Sequence, residues 1–312
     1  MDSIYRQGLG DDDFEVICVN DCSTDNTAQV ISEYGKFHQN LRLINHETNR
    51  RQGGARNTAV KVAKGDYILY IDADDTFESN ALPLLKKELE KYEGIDILKF
   101  DYFLVKDSTI KTCIAVSDNQ DVMSGREFLK RNSIPWVPWL CVYRRRFLVD
   151  NNLFFENVLF EDSDYVIDCI RRAVSIKYVP IIVYRYRVYD TQTSQIGADI
   201  KKVVGLFELN ERIKSLCLDE KERDYGVAMV INTHYEFRFK SIILRYWWRL
   251  SYKDRKELLV TYKPMLPCKD KLVSFIGRYP RLFLMASTVV KPLLPGLRYV
   301  YLKIKDRKSS LL

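Results

Sequence analysis

Two aspartates one residue apart, Asp72 and Asp74, followed at once by Asp75, close the apolar run Tyr67-Ile68-Leu69-Tyr70-Ile71. Carboxylates this close repel one another unless a cation or hydrogen-bond donors neutralise them. Oxygen-only ligands suit a hard divalent ion, Mg2+ or Mn2+, commonly held by one or two carboxylates together with phosphates. The same residues could also form a strand-to-helix turn in which an aspartate caps the helix. A second polar cluster, Asn20-Asp21-Cys22-Ser23-Thr24-Asp25-Asn26-Thr27, follows the apolar run Val16-Ile17-Cys18-Val19. Between the clusters lies Asn49-Arg50-Arg51-Gln52-Gly53-Gly54-Ala55-Arg56-Asn57, a basic, glycine-containing turn entering a helix. Backbone amides at a helix start, with arginines beside them, suit a phosphate or another polar edge, or simply face water.

The elements that must hold these groups are written in the apolar pattern. Residues 14–19, 41–45, 67–71 and 95–100 read as buried strands, and segments ending near Tyr34, Ala63 and Tyr92 as helices between them. Strand and helix alternating in this way predict an α/β fold with a mostly parallel sheet flanked by helices. In such sheets ligands sit beyond the carboxyl ends of the strands, where both acidic clusters fall. After Val188 the pattern changes to long helical segments at about 199–218 and 222–249, so a catalytic region of residues 1–200 is expected, followed by a mainly helical region of 201–312.

The chain has 312 residues, 46% hydrophobic and 29% charged, which excludes a mainly disordered or collagen-like protein. Its 49 Lys and Arg against 42 Asp and Glu give a net charge of +7. Ten basic and two acidic residues fall after Pro267, so the tail carries +8 and the rest about −1. A nucleic-acid binder would spread that charge over a folded face, and no nucleic-acid partner is expected. The seven cysteines are scattered without zinc-ligand spacing and read as small buried hydrophobes in a reducing compartment. Met1 to Gln7 contains no apolar signal segment, and Leu282 to Val290 is about half the length a membrane span requires.

The ordered set V-N-D-x-S-T-D-N-T, A-R-N, I-D-A-D-D and F-E-D-S-D-Y resembles the family 2 glycosyltransferases, which have the GT-A fold. The likeness covers about residues 1 to 190. It implies a nucleotide-sugar donor (a UDP-sugar above all), a divalent metal, inversion at the anomeric carbon, and a role in surface polysaccharide or glycolipid synthesis. It further implies that Asp21 contacts the nucleotide base, with Ser23 and Asp25 shaping that loop, and that Arg56 lies near the base and phosphates. Asp72 would then face the ribose, and Asp74 the metal and diphosphate. The family's catalytic base falls at Asp162 rather than its neighbour Glu161. Direct displacement needs such a base opposite the leaving group. An acidic first turn favoured by the helix dipole would look the same. Trp136 and Trp139 fall where the family meets its acceptor, although tryptophans in a proline-kinked loop also suit a core.

Two departures from the family stand out. Arg51 occupies a place where the family usually has glycine. The first buried strand and most of the following helix have no counterpart in this sequence, which leads to the expectation of a truncated, weakly active form. The basic and aromatic stretch 271–308 suits an anionic membrane surface, so a cytoplasmic enzyme at the inner face of the membrane is expected, acting on a glycan or lipid-linked acceptor. Alternatives are a sugar-nucleotidyltransferase, which should carry a glycine-rich triphosphate loop at its start, and a catalytically impaired scaffold at the membrane edge.

Overall fold

The computed structural model describes residues 1–116, 121–132, 137–189 and 200–246, with a few single positions beyond. The chain divides into two units, residues 1–197 with 211–231, and residues 198–210 with 232–312. In order, the elements are α1 (Asp2–Tyr5), β1 (Val16–Asn20), α2 (Thr27–Gly35), β2 (Leu41–Asn45), α3 (Arg51–Val62), β3 (Tyr67–Leu69), β4 (Thr76–Phe77) and α4 (Ala81–Lys91). They continue with β5 (Ile97–Lys106), β6 (Thr109–Cys113), α5 (Gly125–Arg131), β7 (Cys141–Arg144), α6 (Arg145–Asp150), α7 (Asp162–Arg172), β8 (Ile176–Val188), α8 (Ile200–Arg223) and α9 (Tyr225–Tyr246). The α/β class is as expected, and helices make up the described part of the C-terminal region. Trp136 and nearly all of 271–308 lie outside the described residues.

The sheet differs from the expectation in one respect: it is mixed rather than mostly parallel. β1 pairs with β2 and β5 with β8 in parallel, whereas β3–β7, β4–β8, β5–β6 and β5–β7 are antiparallel. Parallel neighbours need a crossover of a dozen or more residues. The link between β5 and β6 is only Asp107-Ser108, with Asp107 at φ 52°, and it can close only as a hairpin.

The larger sheet runs β3-β7-β5-β8-β4, and β6 joins the far half of β5. β1 and β2 form a two-stranded sheet of their own, so β1 and β3 each keep one edge without a strand partner among the described residues.

Burial follows the same division. β5 is buried on both faces over Ile97–Asp101, and β7 over Cys141–Tyr143. By contrast α2 buries none of its residues, and β2 and β3 are at most half-buried.

α7 packs on the core through Tyr165, Val166, Ile167, Cys169 and Ile170. Its acidic first turn and basic last turn both complement the helix dipole. Arg171 on α7 binds Asp219 (2.6 Å) and Glu220 (2.7 Å), tying the second half of α8 to the rest of the first unit.

The crossing of α5 and α7 depends on Gly125, where a Cβ would lie 1.6 Å from the Ile170 carbonyl oxygen. Overpacking costs about 1–3 kcal/mol where neighbours can shift, and backbone cannot yield as a side chain does. Gly125→Ala should therefore destabilise the protein at or beyond the upper end of that range. The urea midpoint measures this, and an unchanged midpoint would refute the crossing.

Candidate active site

Gly53 brings the site together. It lies inside α3 rather than in the turn before a helix that the sequence suggests, because α3 starts at Arg51. A Cβ at Gly53 would fall 2.9 Å from both the Glu156 carbonyl oxygen and Phe155 Cβ, and 3.1 Å from Glu161 Cγ. The missing side chain lets α3 dock closely on the segment leading to α7. The helix entry is strained, since Arg51 takes φ 60°, a left-handed torsion that glycine adopts freely.

One turn along α3, Arg56 reaches three carboxylates. Its Nη2 donates to Asp72 Oδ1 at 2.7 Å, and its Nη1 donates to Asp162 Oδ1 at 2.6 Å and to Glu161 Oε1 at 3.2 Å. The side chain is 10% exposed, and its guanidinium lies over the rings of Phe155 (5.2 Å) and Tyr70 (6.0 Å). Burial alone would lower its pKa, but Asp162, Asp72 and Glu161 outweigh burial and hold it above the ordinary arginine value. The structure thus gathers Arg56, Asp72 and Asp162, three of the residues singled out from the sequence, around one cation.

Glu161, passed over as a catalytic group, belongs to this cluster. Its side chain is 7% exposed against 33% for Asp162. Phe160 before it takes φ 60°, which turns the chain sharply as it enters α7.

Asp21 stands at the start of α3. Its Oδ1 accepts the Arg50 amide at 2.8 Å and lies 2.7 Å from His46 Nδ1, while His46 Nε2 lies 2.9 Å from Thr58 Oγ1. His46 orients Asp21, and the sequence offered no signal for it beyond a lone histidine one residue after β2. Ser23 and Asp25 are exposed and are not brought to Arg56. Their local roles are to shape the loop: the Ser23 amide donates to Asn20 Oδ1 at 3.2 Å, and Asp25 Oδ1 accepts the Thr27 amide at 3.0 Å. Thr27's hydroxyl and then its amide hold the Asp25 carboxyl below the usual range.

The three acids after β3 have separate environments. Asp72 faces Arg56. Asp75 is buried against β8, accepting from Tyr184 Oη and the Arg187 amide, both at 2.8 Å. Burial pushes its pKa up to about 6 against the pull of those two donors. Asp74 is exposed, and Arg187 Nε donates to its carbonyl oxygen at 2.6 Å. No cluster of three or more His, Cys, Asp or Glu that could hold a metal occurs among the described residues. An exposed carboxylate is the kind of oxygen ligand that Mg2+ or Mn2+ takes together with a diphosphate and water.

Trp139 requires a correction. It is 5% exposed, stacked on Tyr184 (4.3 Å) and Tyr186 (5.4 Å) with its edge toward Tyr102 (5.1 Å). Its ring is covered by tyrosines of β8 and β5, so it offers no open face to an acceptor.

The mixed α/β sheet flanked by helices, with helices after it, has the GT-A glycosyltransferase fold. Comparison of the structure with solved ones gives the same class. Staphylococcus aureus TarS 1–349, solved with UDP-GlcNAc, superposes with a TM-score of 0.66 at 20% identity, covering 83% of this chain and 73% of that one. A mannosyltransferase, PcManGT from Pyrobaculum calidifontis, solved with GDP-Man and Mn2+, gives a TM-score of 0.51 at 15% identity over 93% and 81% of the two chains.

The family follows from the sequence. Residues 1–151 match the family described as "Glycosyl transferase family 2", and this part of the chain belongs to it. The uncharacterized glycosyltransferase EpsJ of Bacillus subtilis is 29% identical over 205 residues, 63% of this chain and 58% of EpsJ. TarS, described as a poly(ribitol-phosphate) beta-N-acetylglucosaminyltransferase, is 26% identical over 246 residues, 76% of this chain and 41% of TarS. The chain thus spans about half the length of these two relatives.

Proposed function

We propose that this chain transfers a sugar from a UDP-sugar to a hydroxyl of a glycan or lipid-linked acceptor, with inversion, in the synthesis of a surface polysaccharide. The observation that carries this reading is the placement of Asp72 and Asp162 on one guanidinium. It sets a donor-side acid beside a candidate base. The relatives support the substrate class, since TarS was solved with UDP-GlcNAc and is described as acting on a polymer acceptor.

In this reading Asp21, held by His46 and the Arg50 amide, receives the base of the nucleotide, and Asp72 receives the ribose. Asp162 accepts the proton of the acceptor hydroxyl as its oxygen bonds to the anomeric carbon and the bond to the diphosphate breaks. Asp74 would hold Mg2+ or Mn2+, which when bound stabilises the negative charge that gathers on the departing phosphate. Arg56 keeps the two acids apart and in register until the substrates arrive. The tail 271–308, basic and aromatic, would rest on the anionic inner face of the membrane near lipid-linked acceptors. No helix among the described residues is long and apolar enough to cross a membrane.

Thermal denaturation with UDP, ADP, CDP, GDP and the corresponding triphosphates, each with Mn2+ or with EDTA, tests the reading. UDP with Mn2+ should raise Tm, and Asp74→Asn should abolish the Mn2+-dependent part of the shift. A ligand at 100 times its Kd stabilises by about 2.7 kcal/mol, which is several degrees in Tm. A shift with nucleoside triphosphates alone would favour a nucleotidyltransferase, and no shift with any nucleotide would favour a scaffold.

A further inference from the structure

Glu161 and Asp162 are bound by the same nitrogen of Arg56, while Asp72 takes the other. That nitrogen has two N–H groups but shares them unequally, 2.6 Å from Asp162 and 3.2 Å from Glu161, so a gain of charge on either carboxylate draws the guanidinium toward it. Their surroundings differ. Glu161 is buried against Gly53, whereas a third of the Asp162 side chain meets water. A proton shared by such a pair settles on the member that water reaches least.

We propose that Glu161 is a positioning residue whose charge sets how firmly Arg56 holds Asp162, and thereby how strong a base Asp162 is. With Glu161 protonated, Arg56 stays on Asp162 and weakens it as a base. With Glu161 ionised, Arg56 is drawn toward Glu161, and the added negative charge strengthens Asp162. The charged groups facing Glu161 are Arg56 from α3, Asp72 from the turn after β3, and Asp162 on its own helix. Burial first, and then the Asp162 charge, push the Glu161 carboxyl up to about 7 against the pull of Arg56. Turnover should therefore rise with pH through the neutral range.

This inference rests on the reading of Asp162 as the base, and the experiment separates the two. Turnover is followed between pH 5 and pH 9 as UDP released from UDP-GlcNAc and UDP-glucose, with water standing in for the acceptor, in the wild type and in Glu161→Gln and Asp162→Asn. The wild type should show an inflection near neutrality that Glu161→Gln loses, with UDP affinity retained. Survival of the inflection in Glu161→Gln overturns the inference alone. Full turnover in Asp162→Asn overturns the base assignment and the inference with it. A second measurement needs no turnover and no Glu161 variant. Carbon-13 NMR of the Glu161 carboxyl should titrate near neutrality in the wild type and fall toward the ordinary carboxylate range in Asp162→Asn, where the neighbouring charge is gone. A midpoint that does not move shows the two groups to be independent.

Discussion

Asp162→Asn should reduce sugar transfer by about 10²–10⁴-fold, the usual contribution of a positioned general base, while UDP affinity stays the same. The amide keeps the shape of the side chain and can still accept from Arg56 Nη1, now 2.6 Å from Asp162 Oδ1. What it cannot do is take a proton. The loss should thus appear in kcat with little change in the donor KM, as for an interaction made only in the transition state. Initial rates over a range of donor concentrations, with UDP binding measured by calorimetry, check both halves. A comparable loss of UDP affinity would mean that Asp162 belongs to the donor pocket.

Arg56→Ala should have the largest effect on stability of the substitutions considered. The side chain is 10% exposed and is bonded to Asp72, Glu161 and Asp162, so its removal leaves three carboxylates facing one another without their cation. Breaking a buried pair by removing one partner costs about 3–5 kcal/mol, because the remaining charge is left uncompensated. The pH dependence gives a second check with a definite sign. Without Arg56 the carboxylates of the folded state hold their protons to higher pH than in the unfolded chain. Stability of the variant is then best at acid pH and declines as pH rises through their folded-state pKa values. Glu161 already behaves this way in the wild type, its pKa standing at about 7 in the fold. Denaturant melts at pH 5 and pH 8 should show the deficit of Arg56→Ala growing toward pH 8. A deficit equal at both values would show that lost packing on Phe155 and Tyr70, rather than charge, was responsible.

Local order was legible from the sequence where it depended on local pattern. β2 occupies the predicted residues 41–45, and α2 ends at Gly35, one residue beyond the predicted Tyr34. The acidic clusters were placed at strand ends by periodicity alone, and Asp72 and Asp162 do converge. Their convergence runs through contacts between residues 16, 105 and 106 positions apart. No short-range pattern encodes such contacts, and the shared-cation arrangement could therefore not be read in advance. Glu161 was passed over for the same reason, since its burial is produced by α3 and not by its own neighbours. The β5–β6 hairpin lay beyond the predicted end of a buried strand, where exposed residues on β6 interrupt the apolar signal. Trp139 was open to two readings, and the tyrosines that cover it come from β8 and β5, far along the chain.

The interruption of the sheet has a thermodynamic consequence. Asp21 follows β1, in the two-stranded piece whose helix α2 buries nothing, whereas Asp162 opens α7 on the well-packed core. Segments with few buried apolar contacts open locally at a small fraction of the global free energy. Holding the nucleobase end of a ligand must then include the entropic cost of quieting that piece. Amide hydrogen exchange would report it as weak protection in β1 and β2 that strengthens when nucleotide is bound, beside protection in β5 and β7 that hardly changes.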